Sequence, residues 1–298
     1  MSKLFVVDIS NIAMRSFHGF NKPNQILTNS AGKLTFLCYG VALCFNKLLN
    51  EHSPDQVIIA MDSKGQTFRH DLYPEYKSGR KAIDPDYVAQ LPDLYRMIEA
   101  YGFKSLSYPA TEADDIIGTI AKMSEQYPDQ EIVIVSGDKD FFQLVGPKVS
   151  ILRPENMGHY RVVKEAQVFE KFGCKPEYVV DALAIIGDAA DAVPGVAGIG
   201  EKGAAGLIQQ FGSLEQIYER LPEIKGSLVQ KLVKSKSTAF LSKELVKIKT
   251  DIPISYSEDE IRVGDVFKRV ELQKFFAEME FHSFLMQSSD LIADVSSL

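Results

Sequence analysis

Three short apolar runs are each followed by an aspartate, directly in two cases and after Ser136-Gly137 in the third, and this pattern restricts the fold more than any other feature of the sequence. The runs cover residues 4–7, 57–61 and 132–135, and the acids that follow them are Asp8, Asp62 and Asp138. Continuous apolar runs of this length predict strands that are buried on both faces. Segments typical of helices lie between or beside them, at 34–50, 86–101 and 112–126. The alternation predicts an α/β fold in which helices cover both faces of a parallel sheet.

The three acids are expected to meet, because the carboxyl ends of parallel strands share one edge of a sheet, where ligands bind. Two motifs, EADD at 112–115 and GDAAD at 187–191, add further acids, as does Asp140. Together they make nine candidate carboxylates: Asp8, Asp62, Glu112, Asp114, Asp115, Asp138, Asp140, Asp188 and Asp191. A single aspartate after a strand is more often a turn former or helix cap. The whole set points to bound cations, since like charges this close cost free energy unless they are neutralised.

Oxygen ligands without interleaved histidine or cysteine are typical of Mg²⁺ or Mn²⁺ sites. Two such ions about 3.5–4 Å apart can activate a water and stabilise the leaving oxygen of a phosphodiester. The acids therefore favour a two-metal phosphodiesterase.

The pattern changes after about residue 175, where strand signals become few and helical segments follow one another. We expect an α/β core at 1–175, a helical region at 176–260 and a C-terminal extension at 261–298. Within the core, residues 63–85 are polar and rich in Lys, Arg, Tyr and Gly, which predicts a long exposed segment.

A glycine-rich stretch at 194–203 resembles two phosphate-binding motifs but fits neither. Gly198, Gly200 and Gly203 match GxGxxG, yet a helix and a Pro-Gly turn precede them instead of a strand. A P-loop would need lysine where Glu201 stands. The stretch instead predicts a helix, a hairpin turn and a second helix from about Glu201, whose N–H groups can bind a phosphate. A plain structural turn is the alternative.

The net charge of -7, from 33 bases and 40 acids, argues against a protein that binds nucleic acid or membrane over its whole surface. Without the nine candidate acids, however, 31 acids and 33 bases remain, which is +2. Residues 225–249 contain seven lysines, including Lys231, Lys234 and Lys236, and only one glutamate. Such a run alone is usually a solvated helix face. Beside an acidic crevice, and with tyrosines among the bases at 64–81, it favours nucleic-acid binding.

Several classes of protein are excluded. The three cysteines stand in mostly apolar stretches without CxxC spacing, which predicts reduced buried thiols. The apolar run at the N-terminus is too short for a signal peptide, and no run of about 18 apolar residues predicts a membrane span. We expect a cytoplasmic monomer with no membrane partner.

Five segments resemble the motifs of the structure-specific 5′-nucleases. They are VDISN at 7–11, MDSKGQTFRHDLYPEYKSGR at 61–80, EADD at 112–115, SGDKDFFQLV at 136–145 and GDAADAVPGVAGIGEKGAA at 187–205. This family comprises the 5′→3′ exonucleases and flap endonucleases of bacteria and phages, including the N-terminal nuclease portion of bacterial DNA polymerase I. The resemblance covers about residues 3–250, and the order of the motifs is more specific than any one of them.

The resemblance implies a PIN-like α/β nuclease core followed by a helix–two-turn–helix region, similar to a helix-hairpin-helix. It implies Mg²⁺-dependent hydrolysis of DNA at a 5′ flap or 5′ end, including RNA-primed DNA, in replication and repair. By the family pattern, the first metal is held by Asp8, Asp62, Glu112 and Asp114. The second is held by Asp115, Asp138, Asp140, Asp188 and Asp191.

The remaining roles also follow from the resemblance. Lys77 and Arg80 would steady the scissile phosphate, and Tyr76 would stack on the terminal base. Residues 63–100 would form an arch or clamp over the 5′ strand. The glycine hairpin, with Gly195, Gly198, Gly200 and Lys202, would grip duplex DNA and hold a K⁺ through backbone carbonyls.

One departure from the family pattern leaves an alternative open. The family usually has Ser and Asn within GDxSDNxPG, where this chain has Ala190 and Ala192. Both acids of the motif remain, but a lost neighbour of a metal ligand can lower metal affinity. The alternative is a catalytically weak or inactive junction-binding protein of the same fold. A PIN-type ribonuclease ranks lower, because such domains usually lack the region at 187–250.

Overall fold

The computed structural model describes residues 2–21, 27–155 and 159–285. Within these residues one sheet holds six strands: β1 (Ser2–Asp8), β2 (Gln56–Ala60), β3 (Lys104–Leu106), β4 (Gln130–Val135), β5 (Val149–Pro154) and β6 (Tyr160–Val163). The strand order is β3-β2-β1-β4-β5-β6, and all neighbours are parallel except β5 and β6. The order reverses between β1 and β4, so a crevice opens there at the carboxyl ends of the strands.

In the described part of the chain, six α-helices accompany the sheet: α1 (Ile9–Phe20), α2 (Phe36–His52), α3 (Phe68–Leu72), α4 (Pro85–Tyr101), α5 (Ala113–Met123) and α6 (Glu165–Phe172). Beyond them, the same description contains α7 (Val179–Ile186), α8 (Glu201–Phe211), α9 (Leu214–Glu219), α10 (Ser227–Lys234), α11 (Lys236–Val246), α12 (Glu258–Ile261) and α13 (Val270–Glu278). A 3₁₀ helix at Asp140–Leu144 follows β4. The predicted fold class is therefore confirmed, with an α/β core first and a helical region after it.

The two faces of the sheet build two apolar clusters, because alternate residues of a strand point to opposite sides. Leu4 and Val6 of β1 belong to the cluster that contains α5, α7, α8 and α11. Phe5 and Val7 belong to the cluster that contains α1, α2, α4 and α13. Each of these four side chains is at most 2% exposed. Full burial of such a side chain stabilises the fold by about 1.5–3 kcal/mol, which explains why β1 is apolar throughout.

The sequence missed part of the core. It did not predict β3, β5 and β6, which are short or contain polar residues. The prediction that 63–85 is exposed is wrong in part, since Thr67, Arg69 and Tyr76 are buried. Short α3 lies in this segment and packs near α11.

Residues 270–285, which fall in the predicted C-terminal extension, pack into the core. Helix α13 packs against α4, and Phe276 is fully buried with its ring 6.0 Å from that of Tyr101. Farther on, the Phe284 ring stacks on Tyr39 of α2 at 5.1 Å. Residues 286–298 of the predicted extension lie outside the described residues. The boundaries at 175 and 260 stay predictions.

The predictions about cysteine and membranes can be compared with the structure. Cys38 and Cys174 are buried free thiols, and Cys44 is a half-buried one. Burial raises the pKa of Cys38 to about 12, so this thiol is inert at neutral pH. Within the part of the chain that the structure describes, no helix is both long and apolar enough to cross a bilayer.

Replacement of Phe276 tests how much α13 contributes to the core. Phe276→Ala should lower the free energy of unfolding by about 3–5 kcal/mol, because it leaves a cavity between α13 and α4. Urea denaturation followed by circular dichroism measures the change. Val270→Ala is the control on the same helix, since Val270 is 58% exposed and should change stability little. Equal stability of the two variants would contradict the packing described for α13.

Candidate metal centre and nucleic-acid interface

Asp8 ties the ends of β1 and β4 together at the crevice. It caps α1, where its Oδ1 accepts a hydrogen bond from the N–H of Asn11 at 3.1 Å. Its Oδ2 accepts one from the hydroxyl of Ser136, just past β4, at 2.7 Å. Asn11 in turn accepts the N–H of Gly137 at 2.9 Å. Neutral donors therefore hold this buried carboxylate in place.

Asp62 makes the equivalent link from the end of β2. Its Oδ1 accepts the N–H of Ala113, the first residue of α5, at 2.9 Å. Its Oδ2 accepts the hydroxyl of Ser10 at 2.6 Å. Glu112 is the N-cap of α5 and Asp114 lies in its first turn, where the positive end of the helix dipole favours acids. Local geometry thus brings the EADD motif to the acids at the strand ends.

The acids at the crevice lie within one another's electrostatic field. Burial raises the pKa of Asp8 to about 7, and the charges of Asp62 and Asp138 add to the effect, against the hydrogen bonds from Ser136 and Asn11. Burial also raises the pKa of Asp114 well above its usual value, together with the charges of Asp8, Asp138 and Glu112. A nearby cation would favour the ionised form of these buried, mutually repelling carboxylates.

Asp140, in the second group of acids, also has a raised pKa. Burial raises its pKa to about 8, followed by the charge of Asp138. Its Oδ1 is buried and has no hydrogen-bond partner among the described residues. A buried carboxylate oxygen without a partner, among other carboxylates, fits a hard divalent cation such as Mg²⁺ or Mn²⁺. Among residues 2–21, 27–155 and 159–285, no three Asp, Glu, His or Cys side chains already converge as a ligand set. Side chains would have to turn to bind an ion.

Three bases partner acids that the sequence assigned to metals. Lys77 Nζ lies 2.9 Å from Glu112 Oε2, Arg80 Nη2 lies 2.6 Å from Asp191 Oδ1, and Lys139 Nζ lies 2.8 Å from Asp188 Oδ2. Burial would raise the pKa of Glu112, but Arg69 and Lys77 outweigh it and hold that pKa below its usual value. Lys77 and Arg80, the cationic residues predicted to steady the scissile phosphate, therefore lie at the acidic crevice, and each pairs with a carboxylate.

A backbone hydrogen bond joins the segment at 63–85 to the loop at 187–191. The N–H of Lys77 donates to the carbonyl of Asp191 at 3.0 Å. Lys77 has a φ of 59°, a left-handed conformation that a lysine seldom adopts. Such conformations cost free energy and persist where the surroundings fix them, often at functional sites.

Asp115 departs from the prediction that it belongs to the second metal group. It is 1% exposed, and its two oxygens accept bidentate hydrogen bonds from Arg69, each at 2.8 Å. Oδ1 also accepts the N–H of Lys249 at 2.9 Å. Arg69 further donates to the carbonyls of Leu245 and Lys247. A carboxylate held on both oxygens by a buried guanidinium has a structural role here.

Tyr76 also departs from its predicted role of stacking on a terminal base. Its side chain is 5% exposed, and its hydroxyl donates to Glu112 Oε2 at 3.2 Å. In this arrangement the ring packs inside the protein and helps to hold Glu112.

The loop at 187–195 closes so tightly that two of its glycines are required. A Cβ on Gly187 would lie 2.7 Å from the carbonyl oxygen of Val193, and one on Gly195 would lie 2.6 Å from the nitrogen of Gly187. Asp188 Oδ1 accepts the backbone N–H of Ala190 at 2.8 Å. Orientation of Asp188 therefore does not need a serine side chain at 190.

The predicted hairpin of the helical region is present, with α8 starting at Glu201 after Gly200. Gly195 donates its N–H to Ser242 at 2.9 Å, which fixes the turn to α11. Lys231 Nζ donates to the carbonyl of Gly198 at 2.9 Å, beside the turn. The side chains of Lys202, Lys231, Lys234 and Lys236 are all exposed. The lysines and the hairpin thus share one region, although Lys243 of the basic run pairs with Asp181 and Glu215 instead.

Sequence reasoning missed the residues that hold the acids. Ser10, Asn11 and Ser136 position Asp62 and Asp8, while Arg69 and Lys139 pair with Asp115 and Asp188. All five lie inside the segments that resemble the motifs of the 5′-nucleases, so their position within a motif was the signal that could have identified them. Their roles could not be read from spacing, because most of the partners come from distant parts of the chain.

Ala192 offers a test of the loop. Its φ of 58° is left-handed, which costs an L-residue with a Cβ roughly 1–2 kcal/mol, whereas glycine adopts it freely. Ala192→Gly should therefore raise the free energy of unfolding by about 1 kcal/mol, measured by urea denaturation. Ala190→Gly is the matched control, because Ala190 has no positive φ, and it should be neutral or destabilising. Destabilisation by Ala192→Gly would show that the left-handed turn is not strained.

Two family models together match almost the whole described chain. Residues 3–173 match the 5′-3′ exonuclease N-terminal resolvase-like domain, and residues 174–269 match the 5′-3′ exonuclease C-terminal SAM fold. DNA polymerase I of Bacillus caldotenax is 37% identical over 288 residues, which cover 93% of this chain and 32% of that protein. The chain thus spans about a third of the length of this relative.

Solved structures of bacteriophage T5 proteins are similar over nearly their full length. The T5 5′-exonuclease with bound zinc has a TM-score of 0.69 and 25% identity, covering 93% of this chain and 98% of that one. The T5 flap endonuclease, in a pseudo-enzyme-product complex with DNA and metal ions, has a TM-score of 0.68 and 25% identity. It covers 93% of this chain and 97% of that one.

Proposed function

The chain belongs to the 5′-3′ exonuclease family, and we propose that it is a divalent-metal-dependent nuclease acting on DNA 5′ ends and 5′ flaps. The observation that carries the proposal is the crevice between β1 and β4. Acids from three strand ends and from α5 lie close together there, and burial, together with the charges of the neighbouring acids, raises the pKa values of Asp8 and Asp114. A phosphodiester backbone would bring its phosphate to a site where cations complete the charge balance. The T5 nucleases named above, similar over nearly their whole length, support the same activity.

Two groups of acids would hold the ions. Asp8, Asp62, Glu112 and Asp114 form the first, and Asp138, Asp140, Asp188 and Asp191 form the second, with Asp115 reassigned to Arg69. When bound, Mg²⁺ or Mn²⁺ ions supply an activated water and stabilise the leaving oxygen. The protein's own contribution is to hold Asp8 and Asp62 in place through Ser10, Asn11 and Ser136.

Lys77 and Arg80 would offset the charge that grows on the phosphate during cleavage. In the structure they lie on Glu112 and Asp191, so a bound phosphate would have to draw them away from these carboxylates. Lysine and arginine side chains are long enough for this exchange, and the half-exposed position of Arg80 makes it accessible to a strand that enters the crevice. Tyr76 would reach a terminal base only after leaving its buried position on Glu112.

The helical region would bind the duplex beside the cleavage site. N–H groups at the 195–200 hairpin and the start of α8 can contact a phosphate without reading sequence. The exposed lysines Lys202, Lys231, Lys234 and Lys236 would track the backbone, and a K⁺ on the hairpin carbonyls would add to this contact. The biological role we propose is removal of RNA primers or displaced flaps in replication and repair, by a cytoplasmic monomer.

A weak or inactive junction-binding protein is the second candidate, favoured by Ala190 and Ala192 in place of the usual Ser and Asn. The hydrogen bond from the Ala190 backbone to Asp188 weakens this candidate, because the acid keeps an orienting donor.

A cleavage assay on a 5′ flap, a nicked duplex and a blunt duplex, with and without Mg²⁺, tests the proposal. The wild type should cut the flap only with Mg²⁺, and Asp138→Ala should lower the rate by orders of magnitude while flap binding remains. Asp129→Ala, at an exposed acid away from the crevice, is the control that should cut normally. Cleavage by Asp138→Ala at the wild-type rate would remove Asp138 from the site. Metal-dependent binding without cleavage by the wild type would favour the junction-binding candidate.

The lysines of the helical region can be tested by salt dependence. Replacement of Lys231, Lys234 and Lys236 by alanine should weaken flap binding and lower the slope of log affinity against log salt by up to about 0.9 per lost phosphate contact. Fluorescence anisotropy at several salt concentrations measures both. Replacement of Lys122, Lys164 and Lys268, exposed elsewhere, removes the same net charge and should leave the slope nearly unchanged. Equal slopes for the two triple variants would place the first three lysines off the interface.

A further inference from the structure

In the sequence, Lys139 lies between two acids of the second group, and its side chain forms an ion pair with a third acid across the crevice. It directly follows Asp138 and precedes Asp140 at the start of the 3₁₀ helix after β4. Its Nζ lies 2.8 Å from Asp188 Oδ2, on the loop that follows α7. The side chain of Lys139 is 34% exposed and that of Asp188 is 20% exposed. This ammonium is therefore held inside the group of acids proposed to bind the second ion.

Both oxygens of Asp188 already have partners. Oδ1 accepts the backbone N–H of Ala190, and Oδ2 accepts Lys139. The loop is closed by hydrogen bonds between Asp188 and Val193 in both directions, so the Ala190 contact is fixed by the backbone. The lysine contact is the one that can leave, because its four-carbon stem rotates freely. An ion that takes Asp188 as a ligand through Oδ2 has to replace Lys139 there.

The first group of acids differs in this respect at Asp8 and Asp62. Their hydrogen bonds come from hydroxyl and backbone N–H donors, which remain compatible with a bound cation. At the crevice, the first group has one base with a flexible stem on its acids, Lys77 on Glu112. The second group has two, Lys139 on Asp188 and Arg80 on Asp191. The second group should therefore bind its ion more weakly, because more positive charge competes for its acids.

We propose that the Lys139 ammonium is the counter-ion of the second acid group and competes with the second divalent ion for Asp188. This competition weakens the binding of the second ion, so that it binds after the first. The inference rests on the proposed nuclease function in that it assigns the acids to metals. It adds a residue with a defined role toward the ion: the ammonium neutralises Asp188 until the second ion displaces it. The displaced ammonium then lies at the edge of the crevice, where it can meet a phosphate.

Calorimetric titration of the full chain with Mn²⁺, without DNA and at constant ionic strength, tests the inference. Lys139→Met removes the competing charge and should make the weaker class of site about tenfold tighter, as expected for a unit charge a few ångströms from a divalent ion near water. Lys139→Arg keeps the charge and should resemble the wild type. Lys122→Met is the control, because Lys122 pairs with Glu125 on the surface at 2.8 Å, and it should leave the isotherm unchanged.

The outcomes separate this inference from the nuclease proposal. A weaker class that is unchanged or weaker in Lys139→Met, with an unchanged melting temperature, overturns the counter-ion role. A tenfold gain that disappears when Asp188→Asn is added supports it, because the competition is then specific to that carboxylate. The titration uses no substrate, so a failure to cleave flaps would leave its result standing while the nuclease proposal fell.

Discussion

Repulsion among the carboxylates at one edge of the sheet is the constraint on which the rest of the structure depends. Strand ends that share an edge bring Asp8, Asp62 and Asp138 together. Burial, with a smaller contribution from the charges of Asp62 and Asp138, raises the pKa of Asp8 to about 7. Three kinds of contact offset the repulsion among these acids. Hydroxyl and backbone N–H donors hold Asp8 and Asp62, the first turn of α5 supplies a helix dipole for Asp114, and bases pair with Glu112, Asp188 and Asp191. What remains uncompensated, at Asp114 and Asp140, is the charge that cations would meet.

Arg69 joins this electrostatic arrangement to the mechanical one. A buried guanidinium is tolerable only with its donors satisfied, and Arg69 achieves this through Asp115 and the carbonyls of Leu245 and Lys247. The same side chain lies 3.3 Å from Glu112. One residue therefore connects α3, the start of α5 and the end of α11. Through Arg69, Glu112 of the proposed metal site is in contact with the same side chain that binds the helical region.

The sequence predicted the parts of this arrangement that depend on local pattern. Apolar strands followed by acids, helical periodicity and the glycine hairpin indicated the fold class, the crevice and the helical region. It failed where the outcome depends on direction or on distant partners. Asp114 and Asp115 are adjacent in the motif, but neighbouring residues of a helix point about 100° apart, so one faces the crevice acids and the other faces Arg69. Burial of Arg69 and Tyr76 in a polar segment, and of Phe276 near the C-terminus, arises from tertiary contacts that no local window contains.

The net charge of -7 takes on a different meaning once these pairs are known. Lys77, Arg80 and Lys139 neutralise acids at the crevice. Under the proposed function, the same three side chains would become available to phosphates once metal ions replaced them. A cation bound at Glu112, Asp188 or Asp191 would free the base paired with that acid, so the crevice would gain positive charge from the ion and from the freed side chain. Affinity for DNA at the crevice should then rise with divalent metal by more than the charge of the ions alone. Much of the acidic excess therefore lies at the proposed metal site, whereas the lysines of the helical region are exposed elsewhere on the protein.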